Sequence, residues 1–135
     1  MIATIERSAH LIASYLDRGL TGLAMTQAEA HVLAQLNHRG PASIGELQRE
    51  FGHKPSTLTS VLDRLENRGW VRREINPADR RSFLIRLTRP GRTAARQVTQ
   101  VLAELERRVA AAVPRRDLDG LEAVSEALAA VVRAE

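Results

Sequence analysis

The chain contains no cysteine among its 135 residues. Disulfides, thiolate metal sites and cysteine-based redox sensing are therefore excluded. No run of about 18 apolar residues could form a membrane span, and Glu6 and Arg7 interrupt the N-terminus too early for a signal peptide. Aromatic residues make up 3% of the chain. We therefore expect a soluble, cytoplasmic, single-domain protein with no membrane partner.

Positive charge is confined to the middle of the chain. Residues 39–96 carry thirteen basic and six acidic residues, a net charge of +7, whereas residues 1–38 sum to −1 and residues 97–135 to −2. This distribution is expected where only the centre of a protein meets phosphate. Codon composition would explain why nineteen of the twenty basic residues are arginine, but it would not explain their clustering.

Helical patterns occupy both ends of the chain. An apolar stripe from Ile5 to Leu16 predicts a first helix that ends near Gly19. Thr88 is expected to cap a long helix that Pro114 ends, and Asp117 or Asp119 is expected to begin a last one. These helices carry more apolar surface than a small central domain can cover. We therefore expect residues 1–18 and 92–134 to be dimerisation helices.

Three shorter helices are predicted in the centre. The pairs Thr26/Glu29 and Ser43/Glu46 each form the T/S-x-x-E pattern of a capping box, which marks a helix start. Pro55 suits the first turn of the next helix. In that helix Leu58 and three further apolar residues recur at helical spacing, so they form the buried face. Three short helices in this order indicate a helix-turn-helix.

Two strands follow the third of these helices. Trp70 to Ile75 and Phe83 to Leu87 are predicted strands, and Phe83, Ile85 and Leu87 are expected to face inward. The arginine-rich connection between them is longer than a tight hairpin needs, which predicts a wing. A hydroxyl-bearing helix and a basic wing suit the major groove and the neighbouring minor groove of one duplex. The fold class is therefore mostly α with a small two-stranded β-wing, a winged helix-turn-helix over residues 26–91.

Residues 57–69 (TLTSVLDRLENRG), Asp79-Arg-Arg81 and Ile85-Arg-Leu-Thr88 together resemble the MarR family of bacterial transcriptional regulators. The resemblance covers essentially the whole chain. It implies a homodimer that binds a pseudo-palindromic operator in double-stranded DNA, usually as a repressor. It further implies, from many family members, a small aromatic or anionic effector that releases the DNA.

The resemblance also assigns roles to individual residues. The fourth helix becomes the recognition helix, and in the wing Arg81 would enter the minor groove. Asp79 would hold the guanidinium of Arg81, although aspartate is also common in turns. Arg80 would contact phosphate or remain a solvated charge, and simple helix capping is the alternative for Ser56 and Thr57. The predicted DNA-binding residues of the recognition helix are Lys54, Pro55, Ser56, Thr57, Thr59, Ser60 and Arg64.

A candidate effector pocket is predicted where the first two helices join. Ordinary dimer packing explains His10 and Tyr15 equally well. The four histidines lack the spacing of a metal site, because His31 and His38 are two helical turns apart. No nucleophile–base pair or phosphate loop is present, so we expect neither an enzyme, a cofactor nor a metal. The candidate pocket residues are His10, Tyr15, His31, Arg72 and Arg86.

Two alternative functions stay open. A winged helix can dock onto another protein, but the Ser, Thr and Arg residues and the +7 central charge favour DNA. A non-specific architectural DNA-binding protein is the second alternative. The hydroxyl-rich helix and the implied two-fold symmetry favour sequence-specific binding instead.

Overall fold

The structure, a computed structural model, describes residues 1–51 and 55–134 apart from the side chains of Pro55 and Arg133. Helices predominate in this part of the chain, as the sequence predicts. The elements are α1 (Ile2–Gly19), α2 (Gln27–Arg39), β1 (Ala42–Ser43), α3 (Ile44–Phe51), α4 (Pro55–Asn67), β2 (Val71–Asn76), β3 (Asp79–Leu87), α5 (Arg89–Ala112) and α6 (Arg115–Ala134).

Local side-chain caps fix the starts of the central helices. Before α2 the Glu29 backbone N–H donates to the Thr26 hydroxyl at 3.2 Å, and the Glu29 carboxylate accepts from the Thr26 N–H at 3.2 Å. Before α3 the Glu46 N–H donates to Ser43 Oγ at 3.2 Å, and the Ser43 N–H donates to Glu46 Oε2 at 2.7 Å. Both predicted capping boxes are confirmed. They are predictable from the sequence because the two residues of each box lie only three positions apart and need no tertiary packing.

The sheet has three strands, and the prediction of two was wrong. Its order is β1-β3-β2, and all pairings are antiparallel. Ala42 pairs with Ile85 and Ser43 with Leu84. Two residues are too few to show the alternation by which a strand is recognised in a sequence. The added strand joins the segment before α3 to the wing.

The last helix also begins earlier than predicted. It starts at Arg115 and not at Asp117 or Asp119. The N–H of Asp117 donates to the carbonyl of Pro114 at 3.0 Å, which places that aspartate inside the first turn. Proline favours helix starts because it has no N–H to leave unsatisfied.

The chain forms two compact units, Met1–Val101 and Leu102–Glu135, which divide within α5. The first unit holds the helix-turn-helix, the sheet and their common core. In the second unit several apolar side chains of α5 and α6 are exposed, among them Leu121 at 58% and Val131 at 61%. Within the described residues, no helix is both long and apolar enough to cross a bilayer. The core of the first unit includes Leu33, Leu36, Leu47, Leu58, Leu62, Leu65 and Ile85.

Candidate nucleic-acid interface

Helix α4 has one buried and one exposed face, as predicted. Leu58, Val61, Leu62 and Leu65 are at most 1% exposed. Ser56, Thr57, Thr59 and Ser60 are exposed on the first two turns. Because the apolar residues fix the helix against the core, the hydroxyls are held at the surface.

One hydroxyl of this surface forms a hydrogen bond within the helix. Ser60 Oγ donates to the backbone carbonyl of Ser56 at 3.1 Å, so its proton is used within the helix and its lone pairs remain for a donor. Pro55 is the first residue of α4, as predicted. Lys54, the remaining predicted contact at this helix start, lies outside the described residues.

The wing is a hairpin whose extra length lies in β3. Only Pro77 and Ala78 separate the two strands, so the long loop predicted between them was wrong. The pairing instead jumps from Ile75–Phe83 to Asn76–Asp79. Arg80, Arg81 and Ser82 therefore have no opposite residue in β2, and they form an irregularity of the kind that re-aims side chains.

Hydrogen bonds of Asp79 fix the backbone around the wing arginines. Asp79 Oδ1 accepts from the backbone N–H of Arg81 at 3.0 Å, and its carbonyl accepts from Ser82 Oγ at 3.0 Å. These bonds give Asp79 the turn-forming role that was its alternative, and the described residues include no ion pair between Asp79 and the Arg81 guanidinium. Arg80 and Arg81 are exposed, and within residues 1–51 and 55–134 neither forms an ion pair.

One apolar pair of the wing is exposed. Ile75 and Phe83 lie opposite one another and are 62% and 47% exposed. The sequence predicted Phe83 to face inward together with Ile85 and Leu87, and only the last two are buried. The alternation of residues along β3 correctly places all three side chains on one face of the strand, but the core does not extend as far as residue 83.

The environment of Arg64 differs from that of the hydroxyls. Its Nε donates to Glu29 Oε1 at 2.6 Å, and the Glu29 side chain is only 4% exposed. Within β2, Arg73 contacts Asp63 at 2.6 Å and Glu66 at 2.8 Å, both on α4. These arginines therefore bind α4 to the rest of the first unit.

Three of the five predicted effector-pocket residues contact other side chains of the first unit. Arg72 and Arg86 both contact Glu74, at 2.6 and 2.7 Å, and the Arg86 guanidinium is the main cause that lowers the pKa of Glu74. The ring of His31 stacks on Phe51, with centroids 6.4 Å apart.

The two other predicted pocket residues both lie on α1. His10 is exposed and Tyr15 is partly buried on α1. A cavity of about 250 Å³ includes Arg86 but none of the other four predicted pocket residues; it is lined by Leu36, Asn37, Gly40, Pro41, Arg86, Leu87 and Arg92. In the described part of the chain, no group of three or more His, Asp or Glu side chains could hold a metal.

Three short helices, α2, α3 and α4, followed by the β2–β3 hairpin define a winged helix-turn-helix protein. Residues 25–83 match the model of the MarR family. The chain is 38% identical to the transcriptional regulator PecS of Dickeya dadantii over 110 residues, which are 79% of this chain and 66% of PecS. It is 31% identical to the multiple antibiotic resistance protein MarR of Escherichia coli over 107 residues, or 76% of this chain and 74% of MarR. The chain belongs to the MarR family.

The fold comparison agrees with this assignment. A crystal structure of a mutant MarR from E. coli complexed with operator DNA matches with a TM-score of 0.72 and 26% identity, over 94% of each chain. PecS carries the name of a transcriptional regulator, and the family consists of regulators and not of enzymes, as predicted. The chain spans 66% of the length of PecS and 74% of the length of E. coli MarR.

Proposed function

We propose that this protein is a sequence-specific DNA-binding transcriptional regulator. The observation that carries the proposal is that one compact unit exposes both a hydroxyl row on α4 and the wing arginines Arg80 and Arg81. Hydroxyls suit base edges and phosphates in the major groove, and arginine suits the narrow minor groove. The likeness to a MarR structure that holds operator DNA supports the same assignment.

We propose further that the protein acts as a homodimer and represses from a pseudo-palindromic site. Support for the dimer comes from the apolar side chains left exposed on α1 and α6, such as Leu11, Leu121 and Val131. Exposed apolar patches of this kind indicate a protein interface. Residues 1–18 and 92–134 are the proposed dimer helices, and two copies would set two recognition helices about 34 Å apart, one turn of duplex.

An effector that releases DNA remains a further proposal. Its predicted anion partners, Arg72 and Arg86, are already paired with Glu74. An anionic compound would therefore have to displace Glu74 or bind at Arg92, which lines the same cavity as Arg86. Titrating benzoate into the protein–DNA complex tests this part, and an unchanged anisotropy at saturating benzoate would contradict a site for aromatic anions.

DNA binding is tested on a duplex that the protein itself selects from a pool. The wild-type protein would first select duplexes from a random-sequence pool, and its affinity for the enriched duplex would be measured by fluorescence anisotropy at two salt concentrations. Arg81→Ala is expected to cost about 1–3 kcal/mol of specific binding while leaving the protein folded. Arg108→Ala removes the same charge from α5, in the other compact unit, and is the matched control.

The outcomes separate the candidate functions. Enrichment of a two-fold-related sequence together with a steep salt dependence supports the regulator. Binding without any enriched sequence would indicate an architectural protein, and no binding would indicate a protein-docking module. An Arg81→Ala variant with wild-type affinity would exclude the wing from the interface.

A further inference from the structure

The C-terminal end of α4 is bound to the segment that joins α1 to α2 through a buried carboxylate. Glu29 accepts from Arg64 Nε at 2.6 Å and from the Thr26 N–H at 3.2 Å. Arg68 Nη1 lies 3.8 Å from the same carboxylate. The Glu29 side chain is 4% exposed, so loss of these partners would leave a charge away from water, which is strongly unfavourable.

Arg68 extends this connection to the backbone of the segment. Its Nη1 donates to the carbonyl of Ala24 at 3.0 Å, and its Nη2 donates to the carbonyl of Leu23. Ala24 has a φ of +45°, which is uncommon for a residue with a side chain. Contacts from α4 therefore accompany an unusual backbone conformation in this segment.

Trp70 joins the same group of residues to the start of α5. The Arg68 guanidinium lies 3.7 Å from the centre of the Trp70 ring. The Trp70 carbonyl accepts from the N–H of Thr88 at 3.0 Å, and Gly91 packs directly against that carbonyl. The end of the recognition helix thus contacts both a segment that follows α1 and the first turn of α5.

We infer that Glu29, Arg64 and Arg68 are positioning residues, which fix the orientation of α4 relative to the helices proposed to form the dimer. Arg64 then serves Glu29 and does not contact a DNA phosphate, contrary to the role that the family resemblance implies. Its departure to a phosphate would remove the shortest bond of a buried carboxylate, leaving Arg68 at 3.8 Å and the Thr26 N–H at 3.2 Å. The consequence for DNA binding rests on the proposed function, whereas the effect on α4 does not.

The effect on α4 is tested without DNA by Glu29→Gln. Glutamine keeps an oxygen that can accept from the Thr26 N–H, so the helix cap is retained and only the charge is lost. Amide hydrogen exchange in residues 55–67 is expected to be at least about tenfold faster than in the wild type. Glu74→Gln is the matched control, because Glu74 also pairs with two arginines but lies on the sheet.

Unchanged exchange in residues 55–67 of a folded Glu29→Gln protein would overturn the inference. If that variant does not fold, Arg68→Lys replaces it. Lysine keeps the positive charge near Glu29, but its single ammonium group lacks the planar fork that reaches two carbonyls. Faster exchange in residues 55–67 is again expected, and wild-type exchange would again overturn the inference.

The direction in which the affinity for the enriched duplex changes distinguishes a positioning role of Arg64 from a phosphate contact. If Arg64 contacted phosphate, Glu29→Gln would free it and DNA binding would stay equal or become tighter. A positioning role predicts instead a roughly tenfold loss of specific affinity, with the non-specific affinity and the salt slope unchanged. Equal or tighter specific binding overturns the inference.

Arg64→Ala is a second test of whether Arg64 positions α4 or contacts a phosphate. A lost phosphate contact would reduce the magnitude of the salt slope by about 0.9. A positioning residue would lower specific affinity without that reduction. If the wild type enriches no duplex, the proposed function fails, while the exchange experiment still decides whether Glu29 positions α4.

Discussion

Replacement of Gly91 by alanine tests how tightly the start of α5 is packed on Trp70, which lies between α4 and β2. A Cβ at residue 91 would lie 1.7 Å from the carbonyl oxygen of Trp70 and 2.7 Å from its carbon. Carbon–oxygen contacts are ordinarily no closer than about 3.3 Å. The two backbones must therefore separate by about 1.5 Å, and no flexible side chain is available to absorb the movement.

The cost follows from three terms. Overpacking of this kind costs about 1–3 kcal/mol. The separation also weakens the hydrogen bond from the Thr88 N–H to the Trp70 carbonyl, which is 3.0 Å long and contributes about 1 kcal/mol. Alanine gains up to about 1 kcal/mol of helix propensity over glycine. The expected net loss is about 2 kcal/mol in the free energy of unfolding, or about 7 °C in Tm for a chain of this size.

Gly120→Ala is the matched control in α6. No atom lies within 4 Å of a Cβ added at Gly120, so only helix propensity acts, and stability should rise by about 0.5–1 kcal/mol. Both variants would be unfolded in urea at one protein concentration and followed by circular dichroism, because dimerisation would make stability depend on concentration. A Gly91→Ala protein as stable as the wild type would refute the packing argument.

Two further substitutions test the proposed dimer and one helix cap. Leu105→Asp, in the second half of α5, is expected to yield a monomer that no longer binds DNA; light scattering and anisotropy check this, and a tightly binding monomer would contradict the dimer model. The Ser43 N–H and then its hydroxyl lower the pKa of Glu46, so the stability from this cap is present at neutral pH and lost as pH falls through that lowered value. Thermal unfolding of Glu46→Gln should therefore depend less on pH below about pH 5, and an unchanged acid dependence would show that the cap contributes nothing.

Local signals in the sequence predicted much of the fold. Both capping boxes, the break before Pro114 and the buried face of α4 were correct, since each depends on residues a few positions apart. The strand β1 was missed because its pairing with β3 joins Ala42 to Ile85, which are far apart in sequence. The wing was placed correctly, but its extra residues lie within β3 because the register there shifts after Ile75.

Glu29 shows why the candidate site was only partly predictable. The capping-box pattern predicts a role for it as a helix cap, and the structure confirms that role. Its burial and its contact with Arg64, 35 positions away, depend on how α2 packs on α4. No periodicity or spacing in the sequence indicates such a contact. The sequence therefore predicts the same DNA-binding role for Arg64 as for the exposed hydroxyls of its helix.

Contacts between residues distant in sequence also decide where the positive charge of residues 39–96 lies. Six arginines of this segment form ion pairs within the described residues: Arg39, Arg64, Arg68, Arg72, Arg73 and Arg86. Pairing leaves the net charge of the segment unchanged, so its attraction for a polyanion at long range persists. It does change where the positive charge lies, because Arg80 and Arg81 protrude from a wing whose aspartate bonds to the main chain. The total charge therefore favours encounter with a duplex, and the internal ion pairs decide which arginines reach it.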